Sequence, residues 1–92
     1  MELMVVKDVM PVEGGLGVLT GPLLVEGITR RSELKKAFGT RISIVSSTGT
    51  TLQVNVRDVS ISQAMSGAMQ VSVGVEIPNG VGIALDSRVL TA

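Results

Sequence analysis

A strict alternation of apolar and polar residues late in the chain most constrains its fold. Apolar side chains occupy every second position from Met69 to Ile77, with small or polar residues between them. A period of two sustained over this length predicts a β-strand with one buried face. Leu52–Val56 alternates in the same way, and the phase then shifts at Asp58. Such a shift predicts a bulge or corner that bends the strand.

Ile42–Val45 precedes a short polar stretch that contains Gly49. Glycine supplies the positive φ angle that tight turns need, so this segment is predicted to form an antiparallel hairpin with Leu52–Val56. The hairpin and the alternating strands together predict a protein built mostly from β-structure.

The two ends of the chain carry further predicted strands. Leu3–Met10 is apolar in both phases until Lys7 and Asp8, which is typical of a buried or strongly curved strand. Val18–Leu24 is predicted to be its neighbour, with Pro22 at an edge or bulge because proline has no N–H group. Pro78–Gly80 predicts a turn, after which Val81–Leu85 alternates again.

One segment, at about residues 32–38, breaks the β pattern. Ser32 is a residue type that caps helices and Gly39 is one that ends them, which predicts about two helical turns. Three apolar side chains fall on one face of this helix, namely Leu34, Ala37 and Phe38. Phe38 is the chain's single aromatic residue, and we expect it to plug one end of the fold.

A chain of 92 residues holds one hydrophobic core, so we predict a single domain over residues 1–92. About six short strands separated by turns predict a closed or nearly closed six-stranded Greek-key barrel with one short helix, since closure removes exposed sheet edges. A double-psi barrel gives a similar periodicity and remains the alternative topology.

The composition excludes most catalytic chemistry. The chain has no Cys and no His, which removes disulfides, thiolate metal sites, His-based triads and ordinary proton shuttles. Its formal net charge is zero, so no overall field attracts DNA or anionic lipid. The apolar runs are too short for a membrane span, and no signal peptide is evident. We therefore expect a cytoplasmic protein with no catalytic residue, metal or cofactor.

Two features are candidate partner-binding sites. The first is a basic cluster around the predicted helix, formed by Arg30, Arg31, Lys35, Lys36 and Arg41. Such a cluster is suited to an acidic protein surface or to RNA phosphates. The second is the glycine-rich stretch with Gly14, Gly15 and Gly17, which we interpret as a tight turn because the residues of a phosphate loop are missing.

The stretch Val5–Gly21 resembles the opening of the second domain of translational GTPases, the elongation factor Tu type of β-barrel. Asp8-Val9 and Val18-Leu19-Thr20-Gly21 are similar to that family's motifs, and Ser87-Arg88-Val89-Leu90 resembles its final strand. The resemblance implies a six-stranded Greek-key barrel. It does not imply tRNA binding, because Gly15 stands where the family carries Arg.

We predict from these observations a non-catalytic binding or scaffolding module that acts through a protein partner or through self-association. One alternative is an RNA-contact module that uses the basic cluster at residues 30–41. A second alternative is a small enzyme with a carboxylate site built from the scattered acids Asp8, Asp58, Glu76 and Asp86.

Overall fold

Alternating apolar residues along the chain assemble into one antiparallel sheet. The computed structural model describes residues 1–28, 30–63, 65, 67–78 and 81–92. The described residues form seven strands and one helix, which confirms the prediction of a mostly β fold with one short helix. The elements are β1 (Glu2–Val5), β2 (Asp8–Val12), β3 (Leu16–Pro22), α1 (Arg31–Phe38), β4 (Arg41–Val45), β5 (Thr51–Gln63), β6 (Met69–Glu76) and β7 (Arg88–Thr91).

The strand order across the sheet is β1-β7-β4-β5-β6-β3-β2. The predicted hairpin is present, since β4 pairs with β5 antiparallel with Ile42 opposite Val54. The segment that carries α1 leads from β3 to the meander β4-β5-β6, and β3 lies beside β6. This arrangement of β3 to β6 is a Greek key.

The sheet does not close into a barrel over the described residues. The strands at its two ends are β1 and β2. They divide the segment Leu3–Met10, which the sequence predicts to be one strand. The N-terminal segment divides because Val6 donates to the carbonyl of Ser87 at 2.8 Å, whereas Lys7 donates to that of Thr20, also at 2.8 Å. The register shift in β1 between Glu2 and Met4 places the adjacent side chains of Leu3 and Met4 in the core, which explains why the start of the segment is apolar in both phases.

A bridge between Met4 and Leu23 brings the two sides together. The Leu24 N–H donates to the Leu3 carbonyl at 2.9 Å and covers the outer edge of β1. The fold is therefore a strongly bent sheet held at this corner by few backbone bonds.

Strand β5 bends the sheet, as its phase shift predicts. Its first half pairs with β4, and its second half pairs with β6. The register shifts between Val56, which lies opposite Val75, and Asp58, which lies opposite Gly74. Arg57 is the extra residue of this bulge, and it restores the inward orientation of Val59.

The core lies between the two halves of the bent sheet, and α1 covers one opening. Leu34 and Phe38 project from the helix into it, and Phe38 is only 1% exposed. The helix ends at Gly39, as predicted, where φ is 67° and the N–H bonds to the carbonyl of Lys35 at 2.9 Å. The other buried apolar residues are Leu3, Met4, Val6, Leu19, Ile42, Ile44, Val54, Val59, Val71, Val73, Val75 and Val89.

Three local predictions differ from the structure. The N-cap is Arg30 rather than Ser32, because the Leu34 N–H already bonds to the Arg30 carbonyl at 3.1 Å. Described residues 81–84 form no strand, and Asn79 and Gly80 of the predicted turn lie outside the described residues. Pro22 pairs opposite Gln70, whereas the proline of the edge strand is Pro11. Within the described residues, α1 is too short to cross a bilayer.

Candidate functional site

The structure divides the basic cluster instead of presenting it as one positive surface. The Arg31 guanidinium donates through Nε to the Val59 carbonyl at 3.0 Å and through Nη2 to the Asp58 carboxylate. The Lys35 ammonium lies 4.0 Å from the same carboxylate. Two of the five predicted cations thus surround one anion.

The Arg31 hydrogen bond, together with the Val59 N–H at 2.9 Å, lowers the pKa of the Asp58 carboxyl below its ordinary value of 3.8. Desolvation of the carboxyl raises its pKa but does not overcome this effect. The carboxylate therefore stays charged under neutral conditions and compensates part of the positive charge of the helix.

The other three cations of the cluster are exposed, and none of them lies within 4 Å of a carboxylate among the described residues. Arg30 is the N-cap of α1 and Lys36 lies within that helix, whereas Arg41 begins β4. Arg41 lines a shallow cleft of about 270 Å³ together with Glu76 and Ile77. The positive charge that remains is distributed over two elements.

The glycine-rich stretch is a tight turn, as predicted. Gly14 and Gly15 have φ angles of 87° and 76° in the connection between β2 and β3. The Gly15 carbonyl accepts the Ile77 N–H at 2.7 Å. A Cβ atom on Gly17 would lie 2.3 Å from Cδ1 of Ile77. Gly15 and Gly17 therefore both position the hairpin of β2 and β3 against the end of β6.

The scattered acids do not form a shared site. Asp86 accepts a hydrogen bond from Lys7 at 2.6 Å, and Asp8 accepts one from the Val9 N–H at 3.0 Å. The larger clefts formed by the described residues are each lined by at most one carboxylate. Nor do the described residues contain a group of three potential metal ligands.

An exposed aliphatic surface lies on the outer face of the hairpin formed by β2 and β3. Met10 is 59% exposed and Val12 is 44% exposed. They lie opposite Val18 and Leu16, whose side chains are half-buried. We call these four residues (Met10, Val12, Leu16 and Val18) the hairpin patch.

The hairpin patch continues into the outer faces of β6 and β5. Val18 lies opposite Gly74, which in turn lies opposite Asp58. Because Gly74 has no side chain, a shallow groove of about 160 Å³ separates the aliphatic side chains from the Asp58 cluster. The next row is polar, and the hydroxyls of Thr20 and Ser72 lie 3.3 Å apart.

No family model, curated protein or solved structure matches the chain. The elongation-factor resemblance therefore rests on Asp8-Val9, Val18–Gly21 and Ser87–Leu90 alone. The hairpin patch connects both sequence-predicted features, because the Gly14–Gly17 turn lies at the end of its hairpin. Asp58, with Arg31 and Lys35, lies across its groove.

The outer edge of β2 is poorly suited to pairing with another strand. The Thr20 carbonyl accepts from Lys7, so even-numbered residues of β3 bond toward β2, and residues of β2 alternate in the same way. Val9 and Pro11 therefore direct their backbone groups outward. Proline has no N–H, and the Val9 N–H already bonds to the Asp8 carboxylate. A partner is thus more readily accommodated on the face than along this edge.

Sequence reasoning missed the hairpin patch because it treated Leu3–Met10 as one strand. In that interpretation Met10 ends a buried strand, and Val12 precedes a turn. The signal that identifies the patch is the pairing itself, which places Met10 beside Val18 and Val12 beside Leu16 on one face. The alternation of Val9, packed on the core, with exposed Met10 follows from that register.

Proposed function

We propose that this protein is a non-catalytic binding module that contacts another protein through the hairpin patch. The observation that carries the proposal is the cluster of four aliphatic side chains on an uncovered sheet face, with Met10 and Val12 well exposed. Contiguous exposed apolar patches on small proteins mark interaction surfaces, and interface centres are apolar and poor in charge.

An RNA-contact function receives less support. RNA binding through phosphates needs several uncompensated cations, and single-stranded RNA also needs aromatic stacking surfaces. Asp58 compensates part of the cluster through Arg31 and Lys35, and the single aromatic side chain, Phe38, is buried. Arg31 and Lys35 then serve mainly to hold α1 on β5.

A carboxylate-based enzyme is also less well supported. Paired general acids and bases need two carboxyls in one cleft. The chain has no His or Cys to act in their place, and the larger described clefts have at most one carboxylate each. The proposed relationship to the elongation-factor barrel concerns the scaffold and leaves this function unchanged.

Site-specific photocrosslinking tests the proposal in the cells that naturally make the protein. A photoreactive amino acid is placed at Met10, and at Leu85 as a matched control, because Leu85 is an equally exposed aliphatic residue (58%) outside the hairpin. We expect a discrete protein adduct from the Met10 position that is absent from the Leu85 position. The adduct should disappear when Val18→Asp places a charge in the patch. Equal labelling from both positions contradicts the proposal.

The RNA alternative has its own measurement. Binding of total cellular RNA is followed by fluorescence anisotropy at low and high salt, because phosphate contacts weaken steeply as salt rises. The proposal expects no saturable binding at low salt. Salt-sensitive binding that is lost in an Arg30→Gln, Lys36→Gln, Arg41→Gln triple variant would favour the RNA function instead.

A further inference from the structure

We propose, on the basis of the function inferred above, that the partner presents a basic amphipathic helix. Its aliphatic stripe would lie on the hairpin patch, and flanking Lys or Arg side chains would meet an acidic rim around the patch. The proposal follows from where the charged side chains lie on the outer face of the sheet.

Three carboxylates surround the hairpin patch. Asp8 begins β2 on the same face as Met10, Glu13 lies in the turn after Val12, and Glu76 lies opposite Leu16. Within the described residues, none of these three carboxylates has a cation within 4 Å. Asp8 and Glu13 in particular remain available to an incoming cation.

Compensating positive charge lies elsewhere. Strands β2, β3 and β6 contain no Lys or Arg. Lys7 directly precedes β2, but its ammonium bonds to Asp86 at 2.6 Å. Arg41 lines the same cleft as Glu76, so Asp8 and Glu13 contribute most of the negative rim. The charge next to the aliphatic side chains is therefore negative, although the whole chain is neutral.

This charge pattern disfavours a second copy of the chain as the occupant. Two copies that pack patch to patch about a two-fold axis bring their acidic rims together, which is repulsive. A head-to-tail contact would offer the cations of α1, but the exposed large apolar residues of the described chain do not include any on that helix. A different chain with both aliphatic and basic side chains is complementary to this surface, because the former can pack on the patch and the latter can bind the acidic rim.

The geometry favours a helix that lies across the face. An added strand would need backbone N–H donors from Val9 and Pro11. Pro11 has no N–H, and the Val9 N–H is already bonded to the Asp8 carboxylate. The patch spans two strands about 5 Å apart and two rows about 7 Å apart, which matches one side of a helix about 10 Å wide. The groove at Gly74 leaves space for a side chain beyond the patch.

Synthetic peptides provide the test. The probe is a helical peptide with leucines on one face and lysines beside them. One matched peptide replaces every lysine with glutamate, and another replaces every leucine with serine. Binding to the full chain is measured by fluorescence anisotropy, and the contact surface is mapped by amide NMR shifts. We expect saturable binding of the Lys–Leu peptide with shifts at Met10, Val12, Leu16 and Val18, and weaker binding at high salt.

Variants of the protein separate the two contributions. Met10→Thr combined with Val12→Thr keeps β-propensity and should weaken binding about tenfold, equivalent to roughly 1.4 kcal/mol. Asp8→Asn combined with Glu13→Gln should weaken binding at low salt and reduce its salt dependence. Leu85→Thr is the matched control and should bind as the wild type does. NMR spectra of each variant establish that it is folded.

The outcomes distinguish this inference from the function on which it rests. Equal affinity for the glutamate peptide, shifts confined to α1, or no saturable binding of the lysine peptide would overturn the basic-helix assignment. A Met10 photocrosslink to a non-basic protein, or to a second copy, would do the same and leave the binding function standing. Loss of both the crosslink and the peptide binding would remove both proposals.

Discussion

Gly21 lies against the backbone of Val5 so closely that a Cβ atom built on Gly21 would be 1.7 Å from the Val5 carbonyl oxygen. The next atoms such a Cβ would meet are also backbone, namely the Val5 carbonyl carbon at 2.9 Å and the Lys7 nitrogen at 3.2 Å. Gly21 is buried on β3. The segment Val5–Lys7, which links β1 to β2, crosses directly over it. Only a residue without a side chain fits there.

Gly21→Ala should therefore be strongly destabilising, on the order of 3 kcal/mol, because backbone rather than a flexible side chain must move. Urea unfolding followed by circular dichroism measures the change. Gly74→Ala is the matched control, since a Cβ there meets its nearest atoms at 3.8 Å, an ordinary contact distance. Similar stabilities for the two variants would show that the Val5 crossing yields easily.

Much of the fold follows from local patterns. The alternation at 69–77, the phase shift at Asp58 and the helix ending at Gly39 all correspond to observed features, because each depends on residues close together in sequence. The requirement for Gly21 could not be predicted in this way. It arises from contact with Val5, and nothing in either local sequence records that approach.

The candidate site shows the same division. The turn at Gly14–Gly17 was predictable, since glycine supplies the positive φ angles observed there. The neutralisation of Arg31 by Asp58 depends on the packing of α1 against β5, and the hairpin patch depends on the register between β2 and β3. Both depend on contacts between residues far apart in sequence, which neither a count of charges nor the periodicity of apolar residues can reveal.

Phe38 gives a test of the helix as a cover for the core. It is the largest of the fully buried side chains, and Phe38→Ala should cost about 3–5 kcal/mol of unfolding free energy. Because that loss approaches the total stability of a small domain, Phe38→Leu is measured alongside it and should cost less. Lys36→Ala, on the exposed side of α1, is the control. A Phe38→Ala variant as stable as the control would contradict the burial of the Phe38 side chain under α1.

The Asp58 contact with Arg31 predicts a pH dependence. The pKa of Asp58 is lowered in the folded protein, mainly by the Arg31 hydrogen bond. The stabilisation is then fully present above the ordinary value of 3.8 and is lost as the pH falls through the lower folded-state pKa. An NMR titration of the Asp58 carboxyl should give a midpoint below 3.8, and Arg31→Gln should raise it.

Arg30→Gln is the control for this titration, because Arg30 precedes the helix and is not among the residues that shift the Asp58 pKa. Its Asp58 midpoint should remain at the wild-type position. An equal upward shift in both variants would attribute the effect to net charge and not to the Arg31 hydrogen bond.

The edge of β2 gives the last prediction, which concerns self-association. Pro11→Val supplies an outward N–H on an exposed edge strand, and Asp8→Ala frees the Val9 N–H from its 3.0 Å side-chain bond. Unpaired donors on an exposed strand promote edge-to-edge pairing. The double variant should therefore form dimers or larger species as its concentration rises, as measured by sedimentation velocity. Asp8→Asn keeps a side-chain acceptor, and Ser60→Val adds a β-branched residue to β5 away from this edge, so both controls should sediment as the wild type does. A double variant that also behaves as the wild type would show that proline and aspartate are not what protects this edge.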